Sequence, residues 1–191
     1  MKRLILVTSP PASGKTYVSK KLAERLDHVV YLDKDTLIPL SKKIFEVARE
    51  EYNRSSDFFE SYIRDAEYET IVAIAMEALD YADMVLINAP FSKEIRNHDY
   101  MNNLQNTLKN KNACLSVIWV KTEIEVIKHR MEERNSDRDK WKLENWDEYI
   151  AGCDFSIPDA VDREALMIFE NSNHTEFHES MAKVTAFLEG K

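Results

Sequence analysis

The chain has 191 residues, of which 44% are hydrophobic, so it can bury one core and has the usual size of a single domain, which we assign to residues 1–191. Its 34 acidic and 26 basic side chains give a formal net charge of −8, which disfavours binding along a nucleic-acid backbone. The two cysteines provide no disulfide framework, and no apolar run approaches the roughly 18–20 residues of a membrane helix, so we expect a cytoplasmic protein without a membrane partner.

Five short runs rich in branched and aromatic residues predict buried strands. They are residues 4–8, 29–32, 84–87 and 115–120, with a weaker run at 166–169. The segments between them are amphipathic and predict helices. Strands that alternate with helices indicate an α/β fold, in which helices cover both faces of a mostly parallel sheet.

Apolar residues at helical spacing mark three of these helices. The three stripes are Val18, Leu22 and Leu26; Phe59, Ile63 and Ala66; and Phe177, Met181, Val184 and Leu188. Thr122 and Glu125 have the spacing of a capping box, which predicts a further helix directly after the fourth strand. That helix runs into a charged segment at 130–142 without glycine or proline, which indicates either a solvated helix or a mobile cover.

Residues 9–16, with the sequence SPPASGKT, match the phosphate-binding pattern GxxxxGK[ST] except that Ser9 replaces the first glycine. The motif follows a strand and opens a helix, an arrangement that points backbone N–H groups and a helix dipole at one anion. Lys15 is expected to reach the β- and γ-phosphates and the Thr16 hydroxyl to hold Mg²⁺. We expect ATP contacts from Pro11, Ala12, Ser13, Gly14, Lys15, Thr16 and Tyr17. The alternative is an ordinary strand-to-helix turn with an exposed lysine.

Three features together resemble the P-loop small-molecule kinases related to nucleoside monophosphate kinases, within them the AAA_33-type ATP-binding proteins. These features are the motif at 9–16, the segment YLDKD at 31–35, and the arginines Arg130, Arg134 and Arg138. The group is similar to gluconate kinase, chloramphenicol phosphotransferase, zeta toxin and the kinase domain of polynucleotide kinase. The resemblance covers nearly the whole chain. It implies a P-loop NTPase fold of three α/β/α layers with a five-stranded parallel sheet, a substrate-binding helical region at about 36–80 and a lid at about 130–145.

The resemblance also implies roles for two aspartates that follow the second strand. Asp33 is expected to act as catalytic base or magnesium partner and Asp35 to contact the substrate, although the order can be reversed. Either carboxylate could instead cap a helix. Among the arginines, Arg134 and Arg138 are expected to stabilise the transferred phosphoryl group and Arg130 to contact ATP, or all three pair with neighbouring acids on a solvated face.

Four further residues are weaker candidates. Asn88 ends the third strand where many P-loop proteins carry an aspartate, so it can contact substrate or γ-phosphate but cannot supply a charge. Arg49 and Lys93 are candidate contacts to an anionic substrate. Asn171 follows the fifth strand and either reads the base edge or forms a turn.

These expectations describe a kinase that uses ATP and Mg²⁺ to phosphorylate a hydroxyl or phosphate of a small molecule. Two alternatives remain open, an NTP-hydrolysing P-loop ATPase and a non-catalytic nucleotide sensor. The expected partners are a nucleotide and a small-molecule substrate. The sequence does not identify the phosphoryl acceptor. It also leaves open whether the protein is a monomer or a homodimer.

Overall fold

A computed structural model describes residues 2–190, apart from the side chains of Asp137 and Arg138. Within these residues one sheet contains the strands β1 Lys2–Thr8, β2 Val29–Asp33, β3 Met84–Asn88, β4 Ala113–Lys121 and β5 Leu166–Glu170. All neighbouring strands pair in parallel, in the order β2-β3-β1-β4-β5. The five predicted strands are therefore confirmed, each to within two residues at either end.

Helices connect the strands and cover the sheet. Their bounds are α1 Lys15–Ala23, α2 Ile38–Ala48, α3 Asp57–Tyr62, α4 Arg64–Ala78, α5 His98–Asn110, α6 Ile124–Arg134, α7 Asp137–Glu144, α8 Trp146–Ala151 and α9 His174–Glu189, with short 3₁₀ helices at Lys34–Leu37 and Glu94–Arg96. Among the described residues no helix combines the length and hydropathy needed to cross a membrane.

Side chains of β1 alternate between two cores, as the period of a strand requires. Leu4 and Leu6 pack with buried residues of α4 and α5 on one face. Ile5 and Val7 pack with α1 and α9 on the other face. This arrangement confirms the expected three-layer α/β/α fold.

The register of the strands aligns their carboxyl ends at one edge of the sheet. Asn88, at the end of β3, pairs with Val7 of β1 on one side and with Asp33 of β2 on the other. Because Asp33 and Asn88 end neighbouring strands beside the loop that follows β1, the fold brings their side chains together at that loop.

Two helical predictions need correction. The predicted stripe of Phe59, Ile63 and Ala66 does not lie on one helix, because α3 ends at Tyr62 and Ile63 has φ −121° before α4 begins. Ala66 is exposed. The capping box is also wrong: α6 has Glu123 at its N-cap without a side-chain cap. The Thr122 hydroxyl instead donates a hydrogen bond to the carbonyl of Ser13.

The segment predicted to form a lid, at about 130–145, contains parts of two helices. Helix α6 ends where Asn135 takes a left-handed conformation with φ 43°, and α7 begins two residues later. Arg130 and Arg134 therefore lie on α6, while Arg138 lies on α7. The side chain of Arg138 lies outside the described residues, so its predicted catalytic role stays a prediction.

Candidate functional site

The loop between β1 and α1 has the backbone conformation of an anion cradle. Ala12 and Gly14 have positive φ values, 60° and 82°, and Gly14 is the N-cap of α1. Positive φ does not occur at Ser9, so the first position of the motif has no conformational need for glycine. The loop opens a cleft of about 620 Å³ together with the start of α1, the lid and the loops after β2 and β3.

Most of the predicted nucleotide-binding residues border this cleft. Those bordering it are Pro11, Ala12, Gly14, Lys15, Thr16, Tyr17 and Arg130. Ser13 is 1% exposed, and its hydroxyl has no hydrogen-bond partner among the described residues. Asn171 is 5% exposed, donates a hydrogen bond to the Ser13 carbonyl, and borders a separate hollow of about 330 Å³ beside Tyr17.

Asn88 connects Lys15 to the acidic side of the site. Its Oδ1 accepts a hydrogen bond from Lys15 Nζ at 2.8 Å. Its Nδ2 lies 2.8 Å from Asp33 Oδ2 and 3.2 Å from Thr16 Oγ1. An amide can accept from a lysine and donate to a carboxylate at the same time, whereas an ionised aspartate could only accept. The residue type that looked like a departure from the P-loop pattern therefore fits the network in which it lies.

Asp33 and Asp35 have different environments. Asp33 Oδ2 also accepts from Tyr31 Oη at 3.0 Å, and its Oδ1 accepts from the backbone N–H of Asp35 at 3.0 Å. Asp33 thus caps the 3₁₀ helix that follows it, which was one of the two alternatives for this residue. The side chain of Asp35 is 65% exposed and borders the cleft, with Lys34 Nζ 3.9 Å away.

Tyr31 is a site residue that the sequence did not reveal beyond its place in the segment at 31–35. Burial and the neighbouring Asp33 raise the pKa of its hydroxyl well above the ordinary value. The hydroxyl therefore remains a neutral donor that holds Asp33 in place.

Burial lowers the pKa of Lys15 from 10.5 to about 8, although Asp33 and Asp35 act in the opposite direction. Its low pKa reflects the cost of keeping an ammonium in a partly desolvated position before an anion arrives.

One buried carboxylate holds two cations of the predicted lid segment. Asp139 is 0% exposed; its Oδ2 accepts from Arg134 Nε at 2.9 Å and Nη2 at 2.5 Å, and its Oδ1 lies 3.4 Å from Lys142 Nζ. Arg134 and Lys142 both border the cleft. Lys142 was missed because only arginines were considered, yet it continues the four-residue spacing of Arg130, Arg134 and Arg138.

Two predicted substrate contacts do not join this site. Arg49 is an exposed residue that ends α2 in a left-handed conformation with φ 61°, and it does not border the cleft. Lys93 pairs with Glu60 at 2.6 Å on the surface and borders another hollow, of about 250 Å³, with Arg64 and Tyr100. Their proposed contact with an acceptor is untested.

Sequence and structure comparisons give the chain a family context. A model of the AAA_33 family, described as an AAA domain, matches residues 4–155. No curated protein matches the chain in sequence.

Several solved structures resemble the chain over nearly the full length of both partners. A putative kinase from Chloroflexus aurantiacus J-10-fl is 19% identical with a TM-score of 0.61, covering 99% of this chain and 97% of that one. An APS kinase from Mycobacterium tuberculosis, in complex with AMPPNP and APS, is 15% identical with a TM-score of 0.56, covering 98% and 97%. Kti12 from Chaetomium thermophilum, in complex with ADP-AlF3, is 18% identical with a TM-score of 0.54, covering 95% and 96%. At these identities the likeness concerns the fold.

Proposed function

Because the chain belongs to the AAA_33 family of P-loop proteins, we propose that it is an ATP-dependent phosphotransferase acting on a small molecule. The observation that carries this proposal is the placement of Lys15, Thr16 and Asp35 at one cleft beside the loop after β1. Asp33 is linked to Lys15 and Thr16 through hydrogen bonds to Asn88. The resemblance of the fold to kinases supports it.

The phosphates of ATP would bind to the loop, the N-terminal end of α1 and Lys15, where backbone N–H groups and a helix dipole favour an anion. Arg130, Arg134 and Lys142 border the same cleft from the lid side and add positive charge. The similar structures with bound AMPPNP or ADP-AlF3 support nucleotide as the ligand. In a protein with a net charge of −8, this local group of cations is suited to one anionic ligand rather than to a nucleic-acid backbone.

The site fits Mg²⁺ as a cofactor. The Thr16 hydroxyl and the Asp33 carboxylate contact the same nitrogen of Asn88, so two oxygen donors of the type that Mg²⁺ prefers lie close together beside the phosphate-binding loop. Bound there with the nucleotide, Mg²⁺ would neutralise part of the charge on the phosphate oxygens.

We assign the role of catalytic base to Asp35. Asp33 instead caps the 3₁₀ helix and would contribute to magnesium binding. This assignment exchanges the two roles that the family resemblance first implied. Three donors already engage the Asp33 carboxylate. These donors already occupy both of its oxygens, which leaves less capacity to accept from an acceptor hydroxyl. Asp35 has a mostly exposed carboxylate on the cleft and can accept the proton of an acceptor hydroxyl.

In this mechanism the acceptor oxygen attacks the γ-phosphorus and its proton passes to Asp35. The bond between the γ-phosphorus and the β–γ bridging oxygen breaks, so ADP leaves. Lys15, Arg134 and Lys142 stabilise the charge that spreads over the transferred group. Arg138 is proposed to assist from α7.

An acceptor screen tests the proposal. The purified chain, Mg²⁺ and ATP are mixed with pools of nucleosides, sugars, vitamins, antibiotics and short oligonucleotides, and ADP release is coupled to NADH oxidation. We expect one pool to accelerate ADP release. Asp35→Asn should keep ATP affinity and lose at least about 100-fold in turnover, the usual range for a general base. Asp27→Asn, which changes an exposed carboxylate before β2, is the matched control and should behave as wild type.

Other outcomes would contradict the kinase. ADP release that no pool accelerates would favour the ATPase, and tight ATP binding without ADP release would favour the sensor. Equal turnover of Asp35→Asn and wild type in the presence of an active pool would exclude Asp35 as the base and return that role to Asp33.

A further inference from the structure

Two side chains hold one peptide of the phosphate-binding loop from outside the loop. The carbonyl of Ser13 accepts hydrogen bonds from Thr122 Oγ1 at 3.0 Å and from Asn171 Nδ2 at 2.8 Å. Thr122 and Asn171 are 6% and 5% exposed. Thr122 follows β4 and Asn171 follows β5, so the two donors come from the carboxyl ends of strands on the same side of β1.

These contacts decide where the next N–H group points. A trans peptide carries its C=O and N–H on opposite sides, and the described residues contain no cis peptide. With the Ser13 carbonyl turned towards Thr122 and Asn171, the N–H of Gly14 points away from them. Gly14 and Lys15 border the cleft, which places this N–H at the cleft wall.

Gly14 needs such external support. Glycine accepts positive and negative φ almost equally, so steric repulsion alone does not select one orientation of the Ser13–Gly14 peptide. The same contact also explains why a glycine stands here: a Cβ on residue 14 would lie 2.5 Å from Asn171 Nδ2. Arg130 strengthens the arrangement, because its Nη2 donates a hydrogen bond to the backbone carbonyl of Asn171 at 2.7 Å.

We propose that Thr122 and Asn171 are positioning residues that keep the Gly14 N–H aimed at the phosphates of the bound nucleotide. The inference rests on the proposed nucleotide site. A donor that is held in place before the ligand arrives does not have to reorganise on binding. The hydrogen bond from the Thr122 hydroxyl and the one from the Asn171 amide therefore affect phosphate affinity through the backbone. The two side chains do so without touching the ligand.

Isothermal titration calorimetry of the full chain with Mg·ATP, and separately with inorganic tripolyphosphate, tests this role. Thr122→Val removes the hydroxyl and nearly preserves the volume, whereas Thr122→Ser keeps the hydroxyl. We expect Thr122→Val to weaken both ligands by about tenfold, the value of one hydrogen bond to a charged group. Thr122→Ser should restore affinity to within about twofold of wild type. Asn171→Asp should weaken both ligands by about 100-fold, because a carboxylate would face the Ser13 carbonyl.

The outcomes separate the inference from the function on which it rests. Equal affinity of Thr122→Val and wild type overturns the positioning role alone, as does an equal loss in Thr122→Val and Thr122→Ser. If Thr122→Val does not fold, the same two titrations are made with Asn171→Ala. We expect this variant to bind tripolyphosphate more weakly than wild type. Unchanged binding would overturn the inference. Absence of nucleotide binding in the wild type overturns the proposed function and the inference together.

Discussion

At the scale of a single residue, Lys15 is the charged group on which the proposed nucleotide site depends. Its Nζ donates a hydrogen bond to Asn88 Oδ1, and burial lowers its pKa to about 8. A neutral Lys15 cannot pair with phosphate, so binding above this pH requires uptake of a proton. Phosphate oxygens would supply the opposite charge that raises the pKa again.

We therefore predict a pH dependence of ATP affinity. Below about pH 8 the free lysine is already protonated and its titration should not weaken binding; above it the dissociation constant should rise by up to about tenfold per pH unit. Calorimetry at about pH 9, in two buffers with different ionisation enthalpies, should detect uptake of close to one proton on binding. Lys15→Met should abolish this uptake. Proton-independent ATP binding by the wild type at that pH would refute the assigned role of the lysine.

The hydrogen bonds of the site explain which of its residues could be identified from the sequence and which could not. Lys15 and Thr16 belong to a contiguous motif whose geometry follows from the strand and the helix around it. Tyr31 lies on β2 and Asn88 on β3. The two residues are 57 positions apart in the chain and contact each other only because these strands are neighbours. Their identity is visible in the sequence, whereas their hydrogen-bond partners depend on the order of the strands.

A buried ionic cluster ties together the elements of the predicted substrate-binding region. Glu67 on α4 accepts hydrogen bonds from Lys34 Nζ at 2.8 Å, from Arg54 at 2.7 and 2.6 Å, and from Ser41. Burial opposes ionisation of Glu67, but the hydrogen bonds from Arg54, Lys34 and Ser41 outweigh it and lower its pKa from 4.5 to about 2. One carboxylate thereby joins the 3₁₀ helix, α2, the loop before α3, and α4.

We predict that Glu67→Gln lowers the free energy of unfolding by about 3–5 kcal/mol at neutral pH, because it removes the buried counter-charge of Lys34 and leaves only the exposed Asp35 carboxylate, 3.9 Å away. Urea denaturation measures the change. Glu46→Gln is the matched control: it removes the partner of Lys43 in an exposed pair, and should cost at most about 1 kcal/mol.

The pH dependence of this difference gives a second check. The folded pKa of Glu67 lies below the unfolded value, so its contribution to stability is present above about pH 4.5 and is lost as the pH falls towards about 2. The two proteins should therefore become more similar in stability across that window. A constant difference down to pH 2 would contradict the role of the charge.

At the scale of the whole molecule, the cleft is bordered by distant parts of the chain: the loops after β1, β2 and β3 and the helices α1, α6 and α7. A ligand that binds only the folded chain should stabilise the entire domain. We predict that Mg·ATP at about 100 times its dissociation constant raises the free energy of unfolding by about 2.7 kcal/mol. Urea denaturation with and without nucleotide measures the increase, and Lys15→Ala should reduce it. An unchanged unfolding midpoint for the wild type would argue against nucleotide binding in this cleft.

The sequence by itself determined the features that depend on neighbouring residues. Apolar runs predicted the five strands, helical spacing predicted α1 and α9, and the motif at 9–16 located the phosphate-binding loop. Family resemblance added the five-stranded parallel sheet of the P-loop fold, which the structure confirms, and the expectation of a lid. These features follow from local periodicity and backbone geometry, which a short stretch of residues is sufficient to establish.

Only the tertiary structure decided which of several possible partners each polar side chain takes. Thr122 could have capped its own helix, but it donates to Ser13, which is 109 residues away in the chain. The sequence left open whether Asn171 reads a base edge or forms a turn, and the structure shows that its amide reaches the same carbonyl across 158 residues. A hydroxyl or amide can satisfy its hydrogen bonds in many ways at the level of sequence. The choice among them is made by distances in space, which exist only once the strands lie side by side.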